Sequence, residues 1–127
     1  MELADLEQVH LAKTGALIAT AARLGGVAAG ADEFREAALD RFGSAIGLAF
    51  QIADDVLDVT ATTDQLGKTA GRDATLRKST YPALLGVREA AGRADALVSA
   101  ACGALREAGL LTPPLEQLAR FAVERRA

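Results

Sequence analysis

A chain of 127 residues, half of them hydrophobic, holds enough apolar material for one core, and a net charge of −3 with no basic run beyond Arg125–Arg126 excludes a nucleic-acid footprint. Aromatic residues make up only 4 %, Trp is absent and Pro numbers three, while Ala is abundant, a mixture that suits closely packed helices over sheets. The single Cys102 excludes an internal disulfide and reads as a small core residue; no stretch has the length or apolarity of a membrane span or a signal peptide, so residues 1–127 are expected to form one soluble, cytoplasmic domain.

In chain order, apolar residues at helical spacing (Leu3, Leu6, Val9, Leu11, Leu17, Ile18, Ala21, Ala22) predict one helix over 3–29, weakened at its far end by Gly25-Gly26. Asp32 is the expected N-cap of a second helix over 32–59, whose stripe runs from Phe34 and Ala38 through Phe42, Ile46, Ala49, Phe50 and Ala53 to Leu57. From Thr60 to Ser79 the periodicity stops, and a long polar loop is predicted. Ser79 or Thr80 can cap a third helix over 80–107, with Pro82 tolerated in its first turn. Thr112-Pro113-Pro114 then starts a fourth over 113–126, whose basic end suits the helix dipole. No stretch alternates with period two, so the fold class is all-α: a helical bundle of four main helices.

The second helix carries an expensive feature. Asp54, Asp55 and Asp58 place three like charges within five residues of a mediocre helix former. On a helix they occupy i, i+1 and i+4, so the carboxylates can converge above one face. Oxygen ligands without a neighbouring His or thiolate suit a hard ion such as magnesium, with manganese as the substitute, bridging to phosphate. The lone His10 argues against a di-iron bundle, which needs Glu-x-x-His pairs. Taken alone, Asp-Asp-x-x-Asp is commonly just a solvated acidic face. Its neighbours give it weight: Lys68, Arg72 and Lys78 follow in the polar loop, and Lys13-Thr14 lies midway along the first helix, although a helical lysine is as readily solvent-facing.

Four blocks in order, Lys13-Thr14-Gly15-Ala16-Leu17, Gly47 through Asp58 (Gly-Leu-Ala-Phe-Gln-Ile-Ala-Asp-Asp-Val-Leu-Asp), Leu66-Gly67-Lys68 and Lys78-Ser79-Thr80-Tyr81-Pro82-Ala83-Leu84-Leu85-Gly86, resemble the trans-isoprenyl diphosphate synthase (polyprenyl synthetase) family, bacterial farnesyl diphosphate synthases in particular. The resemblance runs from about Leu6 to the carboxyl terminus and implies the C-terminal half of the isoprenoid synthase fold. It implies a prenyltransferase that joins an allylic diphosphate to isopentenyl diphosphate with release of pyrophosphate. On that reading Asp54, Asp55 and Asp58 are the second aspartate-rich motif and hold magnesium on the allylic diphosphate, Asp54 most directly. Lys13, Lys68 and Lys78 would contact diphosphate oxygens, Thr14 and Gln51 would face the reaction centre, and Phe50 would neighbour isopentenyl diphosphate.

The family pattern also contains a first Asp-Asp-x-x-Asp motif, and here Asp54-Asp55 is the sole adjacent Asp pair. The expectation is therefore a chain inactive alone, which associates with itself or with a complementing N-terminal half. A non-catalytic accessory subunit or a self-associating helical interaction protein is the alternative. Leu17, Ile18, Ala21, Ile46, Phe50 and Leu57 are the apolar residues expected to lack cover.

Overall fold

The computed structural model describes residues 2–65 and 81–124, with only the backbone at 61–65. Every element among these residues is helical, and no strand occurs among them. In chain order they are α1 (Leu3–His10), a π-helical turn (Leu11–Gly15), α2 (Ala16–Ala28), α3 (Glu33–Gln65), α4 (Tyr81–Leu85), α5 (Val87–Glu107) and α6 (Pro113–Glu124). α3 is the central rod. α2 and the π turn lie along one side of it, and α5 lies along another with α4 and α6 beside it.

The caps are those the side chains predict. Asp32 Oδ1 accepts from the Arg35 backbone N–H at 2.9 Å, satisfying one of the donors that the start of α3 leaves without a carbonyl. Thr112 Oγ1 accepts from Leu115 N–H at 3.4 Å ahead of Pro113, which opens α6 where no N–H is needed.

Three boundaries differ from the sequence expectation. The helix expected over 3–29 is one continuous rod interrupted at Leu11–Gly15 by a π turn, flanked on both sides by ordinary helical dihedrals. α3 continues six residues beyond 59, to Gln65. The apolar period ends near Val59, whereas no Gly or Pro interrupts the backbone before Gly67, and the Thr60 hydroxyl donates to the carbonyls of Val56 and Leu57, both at 3.1 Å. The helix expected over 80–107 breaks at Gly86, where φ is 87°, a left-handed value that glycine adopts without steric cost. Residues 66–80 and 125–127, including the rest of the predicted polar loop, the Ser79 or Thr80 cap and the basic end of the last helix, lie outside the described residues.

The core is a stack of small and branched side chains. Ala90, Ala94, Val98, Ala101, Cys102 and Leu105 form the buried stripe of α5 and meet Phe42, Ile46, Ala49 and Ile52 of α3, with Ala119 and Ala122 of α6. Fully burying a residue such as Ile52 or Leu105 stabilises by about 1.5–3 kcal/mol, and the alanines let the rods approach closely enough for that burial to be complete. Cys102 is a buried free thiol, as expected, and burial pushes its pKa up. Ile46 is covered, not exposed, because α5 and α6 close over it; Phe50 and Leu57 are half-buried. Among the described residues, the large apolar side chains that face outward are Leu17, Leu24 and Val27 on α2, Phe34 at the start of α3, Leu84 on α4, Val87 at the start of α5, and Leu118 and Phe121 on α6.

Backbone meets backbone where α3 crosses the π turn and α2. A Cβ on Gly47 would stand 2.6 Å from the Gly15 Cα, and one on Gly43 would stand 2.6 Å from the Ala19 Cα. Both neighbours are backbone and cannot rotate away. Gly47→Ala is therefore expected to lower stability by about 1–3 kcal/mol through overpacking. Gly92→Ala, in α5 with nothing within 4 Å of the added methyl, is expected to raise it by roughly 0.5–1 kcal/mol. Urea denaturation of both variants checks the signs, and equal effects would contradict this packing.

Candidate functional site

The glycine contact sets which side chains meet above it. With Gly15 against Gly47, the π turn carries Thr14 toward the next turn of α3, and the Thr14 hydroxyl donates to Gln51 Oε1 at 3.0 Å. One turn further along, His10 Nε2 lies 3.9 Å from Asp55 Oδ2. The two rods are thus antiparallel, and two residues singled out on separate helices, Thr14 and Gln51, are in direct contact. A π turn inserts one residue into the helical register, and such insertions recur at functional sites because they re-aim neighbouring side chains.

Asp54 and Asp55 are half-buried, and Asp58 is exposed. Adjacent residues on a helix are about 100° apart, so Asp54 and Asp55 cannot point alike. Asp55 Oδ2 accepts from the Tyr81 backbone N–H at 3.4 Å, on the side where α1 and α4 pack. Asp54 and Asp58 stand one turn apart on α3. Among the described residues, no group of three His, Cys, Asp or Glu side chains could hold a metal ion as a set. Two carboxylates are nevertheless what magnesium usually takes from a protein, the rest of its shell being water and phosphate oxygen, so the donor chemistry fits that ion. Lys13 is exposed and Phe50 half-buried, while Lys68 and Lys78 lie outside the described residues.

Behind Asp55 lies a buried polar cluster that sequence reasoning missed. The Tyr81 side chain is fully buried, and its ring stacks on His10 with centroids 5.5 Å apart and planes 19° apart. Its hydroxyl lies beside the ion pair that Glu7 of α1 makes with Arg93 of α5, without meeting either in hydrogen-bonding geometry. Burial, reinforced by the Glu7 charge, holds the phenol well above its ordinary range. Burial and then the Lys13 charge hold the His10 imidazole below its ordinary value, with Glu7 opposing. The available signal was His10 lying three residues ahead of Lys13, one turn away on the same rod; its partner Tyr81 is 71 positions on and could not be paired from one sequence.

A family model described as polyprenyl synthetase matches residues 1–108. This chain belongs to the polyprenyl synthetase family. It is 48 % identical over 125 residues to a farnesyl diphosphate synthase of Escherichia coli (strain K12), covering 94 % of this chain and 42 % of that protein. It is 42 % identical over 125 residues to a dimethylallyltranstransferase of Fischerella ambigua (strain UTEX 1903), covering 98 % and 36 %. A chloroplastic geranylgeranyl pyrophosphate synthase of Arabidopsis thaliana, number 12, is 46 % identical over 95 residues, covering 75 % and 26 %. The polyprenyl synthetase chain thus spans less than half the length of these curated relatives. Among its described residues no helix is long and apolar enough to cross a membrane.

Tyr81 is the sole tyrosine, so absorbance at 295 nm reports on it alone. Its folded pKa is raised above the unfolded value of about 10. The stability it contributes is therefore present below about pH 10 and lost as pH rises toward the folded value. Native chain at pH 10.5 is expected to show far less tyrosinate than chain in urea at the same pH; equal absorbance would place Tyr81 at the surface.

Proposed function

We propose that this polypeptide supplies the allylic-diphosphate wall of a trans-isoprenyl diphosphate synthase, a cytoplasmic prenyltransferase that joins an allylic diphosphate to isopentenyl diphosphate. One observation supports the reading: the 3.0 Å contact from the Thr14 hydroxyl to Gln51 Oε1 joins the π turn to α3 one turn ahead of the Asp54, Asp55 and Asp58 motif. A cation, two polar groups and a carboxylate motif on facing helices are what a diphosphate leaving group requires on one side.

In this reading Asp54, Asp55 and Asp58 hold magnesium, and Lys13, with Lys68 and Lys78, binds diphosphate oxygens. When bound, the ion neutralises charge that develops on the departing pyrophosphate. Thr14 and Gln51, held to each other, present oxygen dipoles toward the carbon that becomes positive as its C–O bond opens. Phe50, one residue before Gln51 and half-buried, would form the side facing isopentenyl diphosphate.

Charge stabilisation at a leaving group is worth roughly 3 kcal/mol or more per donor, and the reaction needs such groups on both sides of the diphosphate. The 127 residues hold a single Asp-Asp pair, so the chain by itself is expected to give negligible prenyl transfer. Association accompanies this reading: Leu17, Leu24, Val27 and Phe34 face outward, and about 300 Å² of such surface would contribute roughly 7 kcal/mol to pairing before its entropic cost. The partner is a second copy or a complementing N-terminal half.

Calorimetric titration with magnesium plus pyrophosphate tests the site. Binding is expected, and an Asp54→Ala, Asp58→Ala double variant should weaken it at least tenfold, about 1.4 kcal/mol. No heat with the unaltered chain, or equal affinity in the double variant, would refute the assignment. In the same preparation, robust product formation from labelled isopentenyl diphosphate would refute the need for a second wall, and a monodisperse monomer in light scattering would refute self-association.

A further inference from the structure

We infer that His10 is a positioning residue for Asp55, an inference that rests on the reading of the carboxylates as a magnesium–diphosphate site. Asp55 Oδ2 lies between two groups from outside α3: the backbone N–H of Tyr81 at 3.4 Å and His10 Nε2 at 3.9 Å. Tyr81 is the first residue of α4, so its N–H has no carbonyl partner within that helix, and the Asp55 carboxylate supplies one. The imidazole cannot drift far, because it is stacked on a fully buried ring. Its Nε2 is itself buried and has no hydrogen-bond partner, although a carboxylate oxygen lies less than 1 Å beyond hydrogen-bonding reach. A buried polar nitrogen left in this position is costly unless a neighbour serves it, and Asp55 Oδ2 is the nearby acceptor.

The arrangement is that of a ligand held from behind: His10, as the tautomer with its proton on Nε2, and Tyr81 N–H fix the plane of the Asp55 carboxylate. Separations that are long without substrate commonly tighten once charge is bound in front. The Tyr81 hydroxyl has no part in this, since it lies at the far end of the ring beside Glu7 and Arg93.

The test uses the full chain with His10→Phe, which keeps a stacking ring and removes the polar edge, and His10→Gln, whose amide nitrogen has the reach of Nε2. Two readouts are taken: hydrogen exchange of the Tyr81 amide without ligand, and magnesium–pyrophosphate affinity by calorimetry. His10→Phe is expected to speed Tyr81 exchange and weaken binding by about tenfold at an unchanged melting temperature, with His10→Gln restoring both. Unaltered exchange and affinity in His10→Phe would overturn the inference, as would equal losses in both variants. If exchange responds as expected but the unaltered chain takes up no magnesium–pyrophosphate, the site reading fails while the positioning of Asp55 stands.

Discussion

Everything that meets above the middle of α3 depends on two glycines having no side chains. Gly43 and Gly47 lie one turn apart and rest against the backbone of Ala19 and Gly15, so the two rods touch main chain to main chain. Any side chain at Gly47 would push the π turn outward, and Thr14 would lose its 3.0 Å reach to Gln51 before any core residue was exposed. The contact also fixes register. With Gly15 set on Gly47, His10 falls opposite Asp55 one turn away, and the polar groups of both rods gather along one seam. A small-residue seam and a polar seam side by side on the same pair of helices explain why this bundle is rich in Ala and Gly where it packs most closely.

The acidic motif is costly to the fold, and the structure spreads that cost. Three carboxylates within five residues repel, and Asp55 accepts from the Tyr81 N–H beside the edge of His10. Asp58 is solvated, and Asp54 is half-buried. The cluster behind Asp55 is itself underserved: His10 Nε2, the Tyr81 hydroxyl and Arg93 Nε are all buried without hydrogen-bond partners. Native folds tolerate few such groups, and their concentration behind one carboxylate sets this corner apart from the alanine-lined core.

α5 and α6 close the core over Ile46, Ala49 and Ile52, whereas α2 turns Leu17, Leu24 and Val27 to the outside. A rod buried along one face and apolar along the other is a wall with two sides, and under the proposed function its outer side meets the complementing half or a second copy. The polar seam and this apolar face share the α1–α2 rod, so anything that covers the face also stiffens the element that presents Lys13 and Thr14.

From the sequence alone came the all-α class, the caps at Asp32 and Thr112, the buried Cys102 and the family, together with Thr14 and Gln51 as residues of interest that the fold brings into contact. These follow from local causes, namely 3.6-residue periodicity, capping chemistry and contiguous blocks, all expressed within a few residues of one another. Tertiary structure decided the rest. The π turn at Leu11–Gly15 was not read from the sequence, because a shift of one residue is smaller than the width of an amphipathic helix's apolar stripe. The six-residue extension of α3 was invisible because residues 60–65 carry no apolar period, and a run of Thr, Asp and Gln has the same composition in a helix as in a polar loop. The His10–Tyr81 stack joins residues 71 positions apart, and its existence depends on Gly86 breaking the third helix and on Gly47 bringing α1 down onto α3. No local propensity encodes a contact whose two partners are placed by two separate glycines elsewhere in the chain.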